Sequence, residues 1–143
     1  MWGVNYLYGK KNKLELEFLS HIFPKGLLEH FKITGFLELG NVAEKTIFYE
    51  IQLEENNTIL GHYDQNLYES KGFTEVVLQD FPIRGKAVFL RFNRRRWRLK
   101  SDKAKVVRND FSFVAVGSGF TQELSDFLKD SGRYSGGYDH EHQ

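Results

Sequence analysis

KAVFLRFNRRRWRL, residues Lys86 to Leu99, reads as one long β-strand. Successive side chains of a strand point to opposite faces, so Val88, Leu90 and Phe92 share one face, and Arg94, Arg96 and Arg98 continue it. The strand is therefore expected to begin over a hydrophobic core and to end as a projecting basic arm. Before it, Ile83-Arg84-Gly85 reads as a turn, with Pro82 fixing its own φ and Gly85 permitting a positive one. After it, Ser101 to Lys105 (SDKAK) reads as the turn of a hairpin whose return strand is expected over Phe111 to Val116.

Working outward, Thr74, Val76 and Leu78 alternate with Glu75, Val77 and Gln79, the period of a half-buried strand. The same period over Ile47, Tyr49, Ile51 and Leu53 predicts another. Ile33 to Leu39 is a third candidate, and polar Gly61 to Gly72 reads as a loop. At the N-terminal side, Leu14, Phe18, Leu19, Ile22 and Phe23 recur at helical spacing, and Pro24 and Gly26 end the run. Leu27 to Phe31 predicts a second short helical turn. Thr121 can cap a final helix whose apolar stripe is Phe120, Leu124, Phe127 and Leu128. Together these elements predict an α+β fold: N-terminal helices, a small twisted antiparallel sheet and a short C-terminal helix. One domain is expected over 14–130, with 1–13 an extension of uncertain role and 131–143, glycine-rich and polar, a disordered tail.

The 143 residues suit one such domain, and 13 Phe with 7 Tyr supply a core. Cysteine is absent, which excludes disulfides, thiolate zinc sites and a cysteine nucleophile. No apolar run approaches membrane-spanning length, and the first residues lack the pattern of a signal peptide. A cytoplasmic protein without a membrane partner is the expectation.

The formal net charge of +1 conceals a sharp asymmetry. Residues 84–108 hold eleven Lys or Arg and one acid, Asp102, while the segments on either side carry net charges of −5 and −4. Gathered positive charge of this kind is what an anionic polymer meets. Candidate nucleic-acid contacts are Arg84, Lys86, Arg91, Arg94, Arg95, Arg96, Arg98, Lys100, Lys103, Lys105 and Arg108. Guanidinium forks match phosphate oxygens in bidentate geometry, and each phosphate neutralised releases counterions. The competing structural reading has these arginines paired with the acidic N-terminal half. Trp97 is expected to cover the edge of a core rather than to stack on a base.

Other chemistries find little support. His140 and His142 fall in the tail, His21 and His30 lie in helical segments without acids at ligand spacing, and His62 stands alone, so no metal is expected. Glu38, Glu50, Asp64, Glu69, Glu75 and Asp80 are scattered, and there is no nucleophile elbow, phosphate-binding glycine loop or HExxH motif. Neither an enzyme nor a cofactor is expected.

The order KGFTEVVLQDFPIRGKAVFLRFNRRRW, then a basic hairpin, VVRNDFSFVAVGSGFT and a short helix, resembles the N-terminal region of ISAon-type insertion-sequence transposases, related to the front end of the ISL type. The resemblance covers about Leu14 to Lys129 and is most specific at Asp80–Lys86 and Arg94–Trp97. It implies a metal-free version of a zinc-ribbon-like hairpin, since the paired cysteines of the ISL type are missing, with packing held by Phe73, Phe81, Phe89, Phe92, Phe111 and Phe113. It also implies a non-catalytic region that docks on double-stranded DNA at element ends and serves a separately encoded catalytic transposase chain, with homo-oligomers open. Two alternatives stand beside it. One is a protein-interaction module presenting Tyr6, Tyr8, Tyr63 and Tyr68 to a partner. The other is single-stranded nucleic acid on an aromatic sheet face that includes Trp97.

Overall fold

Two-residue periodicity carries the long strand as expected: β4 runs Lys86–Leu99. In a computed structural model, described over residues 13–131 apart from 42, 44 and 116, it is the axis of the molecule. The other elements are α1 (Lys13–Ile22), α2 (Leu27–His30), β1 (Phe31–Asn41), β2 (Thr46–Glu55), a 3-10 turn (Gln65–Leu67), β3 (Tyr68–Ile83), β5 (Asp102–Val107) and α3, a helix over 122–131. The N-terminal extension and the tail expected from the sequence, with His140 and His142, lie outside the described residues.

The sheet order is β1-β2-β4-β3, with β5 joining β4 beyond the end of β2. The α+β class holds, with helices at both ends, but the sheet is mixed rather than antiparallel. β2 and β4 run parallel, with Phe48 opposite Ala87 and Glu54 opposite Asn93. The reason is the β2–β3 connection, which carries the chain past β4 to its far edge and leaves room for β4 to return between them. The β3–β4 hairpin closes at Arg84-Gly85, whose φ angles of 52° and 76° are both positive, as a tight two-residue hairpin turn requires.

Val88, Leu90 and Phe92 of β4 pack with Ile51 and Leu53 of β2, Leu78 of β3, Phe31, and Phe23 and Leu27 from the helical end. Here the expectation for the phenylalanines needs correction. Phe92 and Phe113 are buried in this cluster and Phe111 packs against it, but Phe73 and Phe81 are exposed and Phe89 lies on the opposite side of the sheet. Segment 111–115 is not a strand. It folds across the sheet as an aromatic plug, with Phe31 edge-on to Phe92, Phe111 and Phe113. The return strand is β5 instead. β3 begins at Tyr68, inside the expected loop, because Tyr68 to Ser70 find partners at Trp97 to Leu99. The helical stripe is also only partly used. Phe23 is buried and Leu19 packs on the core, but Leu14, Phe18 and Ile22 are 73%, 64% and 40% exposed.

A second, smaller core forms on the other side of β4. Trp97, with no exposed surface, packs with Ile59 and Tyr68, flanked by Tyr63, Leu99 and Val107. β4 thus serves one core with its first half and another, on its opposite face, with its second half. Its end is paired on both edges rather than projecting as an arm.

Candidate nucleic-acid interface

Fourteen residues at about 3.3 Å each separate Lys86 from Lys100 by roughly 45 Å. The eleven candidate cations therefore do not form one patch. They fall into three groups set by position along β4.

Arg84 and Lys86 lie at the β3–β4 turn, far from the rest. The middle group is held within the fold. Arg91 bridges Glu50 at 2.9 Å and Glu75 at 2.5 Å, tying three adjacent strands together. The Arg91 hydrogen bond holds the carboxyl of Glu50 below its ordinary range. Arg95 lies over the ring of Phe73 at 4.6 Å, donates to Ser70 Oγ at 3.0 Å and approaches Glu54 at 3.8 Å. Arg94 donates to the carbonyl of Asn109 at 2.5 Å, its guanidinium 5.9 Å from the ring of Phe111. Arg98 pairs with its cross-strand neighbour Glu69 at 2.9 Å. Arginine engaged in this way is structural first. The competing reading of the sequence, pairing with acids, is realised for three of the eleven, Arg91, Arg95 and Arg98, while Arg94 is held by a carbonyl and a ring.

The third group gathers at the β4–β5 end. Lys100 opens the turn, and between the pairs Arg98–Val106 and Leu99–Asp102 the return strand carries the extra residues Lys103, Ala104 and Lys105 as a bulge. Asp102, the only acid in the segment, is exposed and accepts from Ala104 N at 3.2 Å. Lys100, Lys103, Lys105 and Arg108 are exposed, and together with half-buried Arg96 they make no ion pair among the described residues.

A buried polar knot fixes the base of this end. Glu55, 1% exposed, accepts from Arg95 N at 2.9 Å and from Asn109 Nδ2 at 2.7 Å. Asn109 in turn accepts from Leu60 N at 2.8 Å and donates to Thr58 O at 3.0 Å. Burial pushes the Glu55 carboxyl up, and the hydrogen bonds from Arg95 and Asn109 and the nearby arginine charges offset only part of that push. At the other end of the molecule Asp80, buried and likewise pushed up by desolvation, accepts from Thr121 Oγ1 at 2.8 Å. Thr121 Oγ1 also accepts from Leu124 N at 3.4 Å, capping α3 as its sequence position implied.

The loop from 56 to 67 crosses β4 above Trp97, whose indole Nε1 donates to Asn57 Oδ1 at 3.1 Å. No base can stack on a tryptophan without exposed surface, so the single-strand reading loses that residue. Of the tyrosines assigned to a protein partner, Tyr68 is buried, Tyr63 half-buried, and Tyr6 and Tyr8 lie outside the described residues. The same loop carries a feature that sequence reasoning passed over: exposed His62 stacks on Tyr63 with ring centroids 4.6 Å apart. Two adjacent rings in an otherwise polar stretch were the available signal. Among the described residues no three His, Asp or Glu side chains are placed to hold a metal ion, and no helix is long and apolar enough to cross a membrane.

No family model, curated protein or solved structure matches this chain.

Proposed function

We propose that this chain is a non-catalytic nucleic-acid-binding module that grips the sugar–phosphate backbone with the β4–β5 end. One observation carries the reading: acids take up Arg91, Arg95 and Arg98, while Arg96, Lys100, Lys103, Lys105 and Arg108 cluster without an acidic partner among the described residues. Exposed cations held on a rigid hairpin neutralise phosphates and release counterions. The footprint is smaller than the whole of 84–108, because the middle arginines are committed to the fold. The resemblance to ISAon-type transposase N-terminal regions supports duplex element ends as the target and a separately encoded catalytic chain as the partner.

The test is fluorescence anisotropy with a labelled random duplex at several salt concentrations. Five phosphate contacts give a slope of log K against log salt of about −4 to −5. The triple variant Lys100→Glu, Lys103→Glu, Lys105→Glu, all at exposed positions, is expected to remove most of that slope. Absence of binding at low salt, or a triple variant that binds as well as the parent, overturns the reading. A protein-interaction module is the second reading, favoured by the exposed stripe Leu14, Phe18 and Ile22 on α1. It predicts that replacing these three with Ser abolishes capture of a partner and leaves nucleic-acid binding as it was.

A further inference from the structure

We infer that the nucleic acid engaged at the β4–β5 end presents an unpaired base, stacked on the open face of His62, while its phosphates lie along Lys100, Lys103 and Lys105. This rests on the backbone-gripping part of the reading above, not on its duplex target, and names the form of the ligand as unpaired. Three observations lead to it.

The first is the ledge itself. His62 is exposed, its ring is parallel within 24° to that of Tyr63, and Tyr63 meets Tyr68 edge-on at 5.4 Å. A base placed on His62 extends a ring stack anchored in the Trp97 core. The second is proximity and rigidity. Tyr68 pairs across the strands with Leu99, and Lys100 N donates to Leu67 O at 2.9 Å, so the loop that carries the ledge is fastened to the basic turn. Asp64 caps the short turn after the ledge by accepting from Asn66 N at 2.9 Å, and Gln65 accepts from Ile59 N at 2.7 Å. A ledge held this way loses little freedom when a base docks. The third is that neither of the two longer helices among the described residues suits base reading in a groove. α1 carries Glu15 and Glu17, and α3 carries Glu123, Asp126 and Asp130, so each helix would bring acids toward the phosphates of a groove. Stacking beside cations is the arrangement by which proteins hold unpaired strands, because every base offers a π-face.

The experiment compares three probes of equal length, about 12 nucleotides, a span within the usual single-strand site sizes. They are a labelled single strand, the same strand in duplex form, and a backbone of the same charge made of abasic sites. The full chain is expected to bind the base-bearing strand at least about fivefold more tightly than the abasic one. His62→Ala lowers affinity for the base-bearing strand by roughly five- to a hundredfold and leaves the abasic and duplex affinities within about twofold. Tyr63→Leu, which keeps the apolar packing, gives a loss of the same selectivity. Equal binding of base-bearing and abasic strands, or a His62→Ala variant without selective loss, overturns this inference while salt-dependent duplex binding leaves the backbone reading standing. Absence of binding to all three probes at low salt overturns both.

Discussion

Replacing Asn109 by Asp tests the buried knot that holds the basic end in place. The substitution keeps the shape of the side chain and the acceptor that serves Leu60 N. It turns the Nδ2 donor into an oxygen, which then faces Glu55 Oε2 at 2.7 Å and Thr58 O at 3.0 Å. Two carboxylates at that separation cannot both stay ionised, so the folded pair must hold a proton that the unfolded chain gives up. Holding it at pH 7 against an ordinary carboxyl pKa near 4 costs 1.36 kcal/mol per unit, about 4 kcal/mol in all. The stranded Thr58 carbonyl adds about 1 kcal/mol. The sign follows from linkage: the folded state binds the extra proton, so the deficit is large at neutral pH and shrinks as pH falls toward the unfolded pKa. Urea unfolding at pH 7 and pH 4.5 is expected to show a loss of about 3–5 kcal/mol at the first and about 1–2 kcal/mol at the second. A loss equal at both pH values, or below about 1 kcal/mol at pH 7, refutes the hydrogen-bond assignment of the knot.

Two further outcomes follow from the same geometry. Trp97→Ala empties the centre of the second core and is expected to cost about 3–5 kcal/mol, read as a drop in Tm of roughly 10–20 °C; a shift of only one or two degrees contradicts its burial. Thr121→Val removes the cap of α3 and the donor to Asp80, for about 1–3 kcal/mol at pH 7. Because desolvation already raises the Asp80 carboxyl and the lost donor raises it further, the cost falls as pH drops. Equal losses by chemical denaturation at pH 4 and pH 7 would count against that pairing.

The parts of the fold that were legible in the sequence are those written in local period. β4 has the predicted bounds because no glycine or proline interrupts the run between Gly85 and the turn after Leu99, and α2 and α3 lie where Pro24 and Thr121 place them. Parity shows which side chains share a face but not which face is covered. The resemblance implies packing roles for Phe73 and Phe89, although parity along the strands sets both on the side opposite Phe92. Parallel pairing of β2 with β4 joins residues such as Phe48 and Ala87, far apart in the chain, and no local pattern announces it. The candidate interface was legible as charge and not as availability. Whether an arginine is free depends on acids that come from 16 to 41 positions away, as Glu75 and Glu50 come to Arg91.

The change of face along β4 has a consequence for the fidelity of strand pairing. A slip of one residue in an ordinary two-faced sheet exchanges inner and outer side chains once. Here it would turn Arg91 and Asn93 toward the aromatic plug and, at the same moment, set Arg96 or Arg98 in the dry space of Trp97. Each half of the strand thus vetoes misalignment of the other, since a charge buried without a partner costs far more than the pairing returns. By the same logic, the short span Asn93–Arg96 between the two cores admits neither a single insertion nor a single deletion. This sequence guards its alignment through alternation of burial rather than through the turns at its ends.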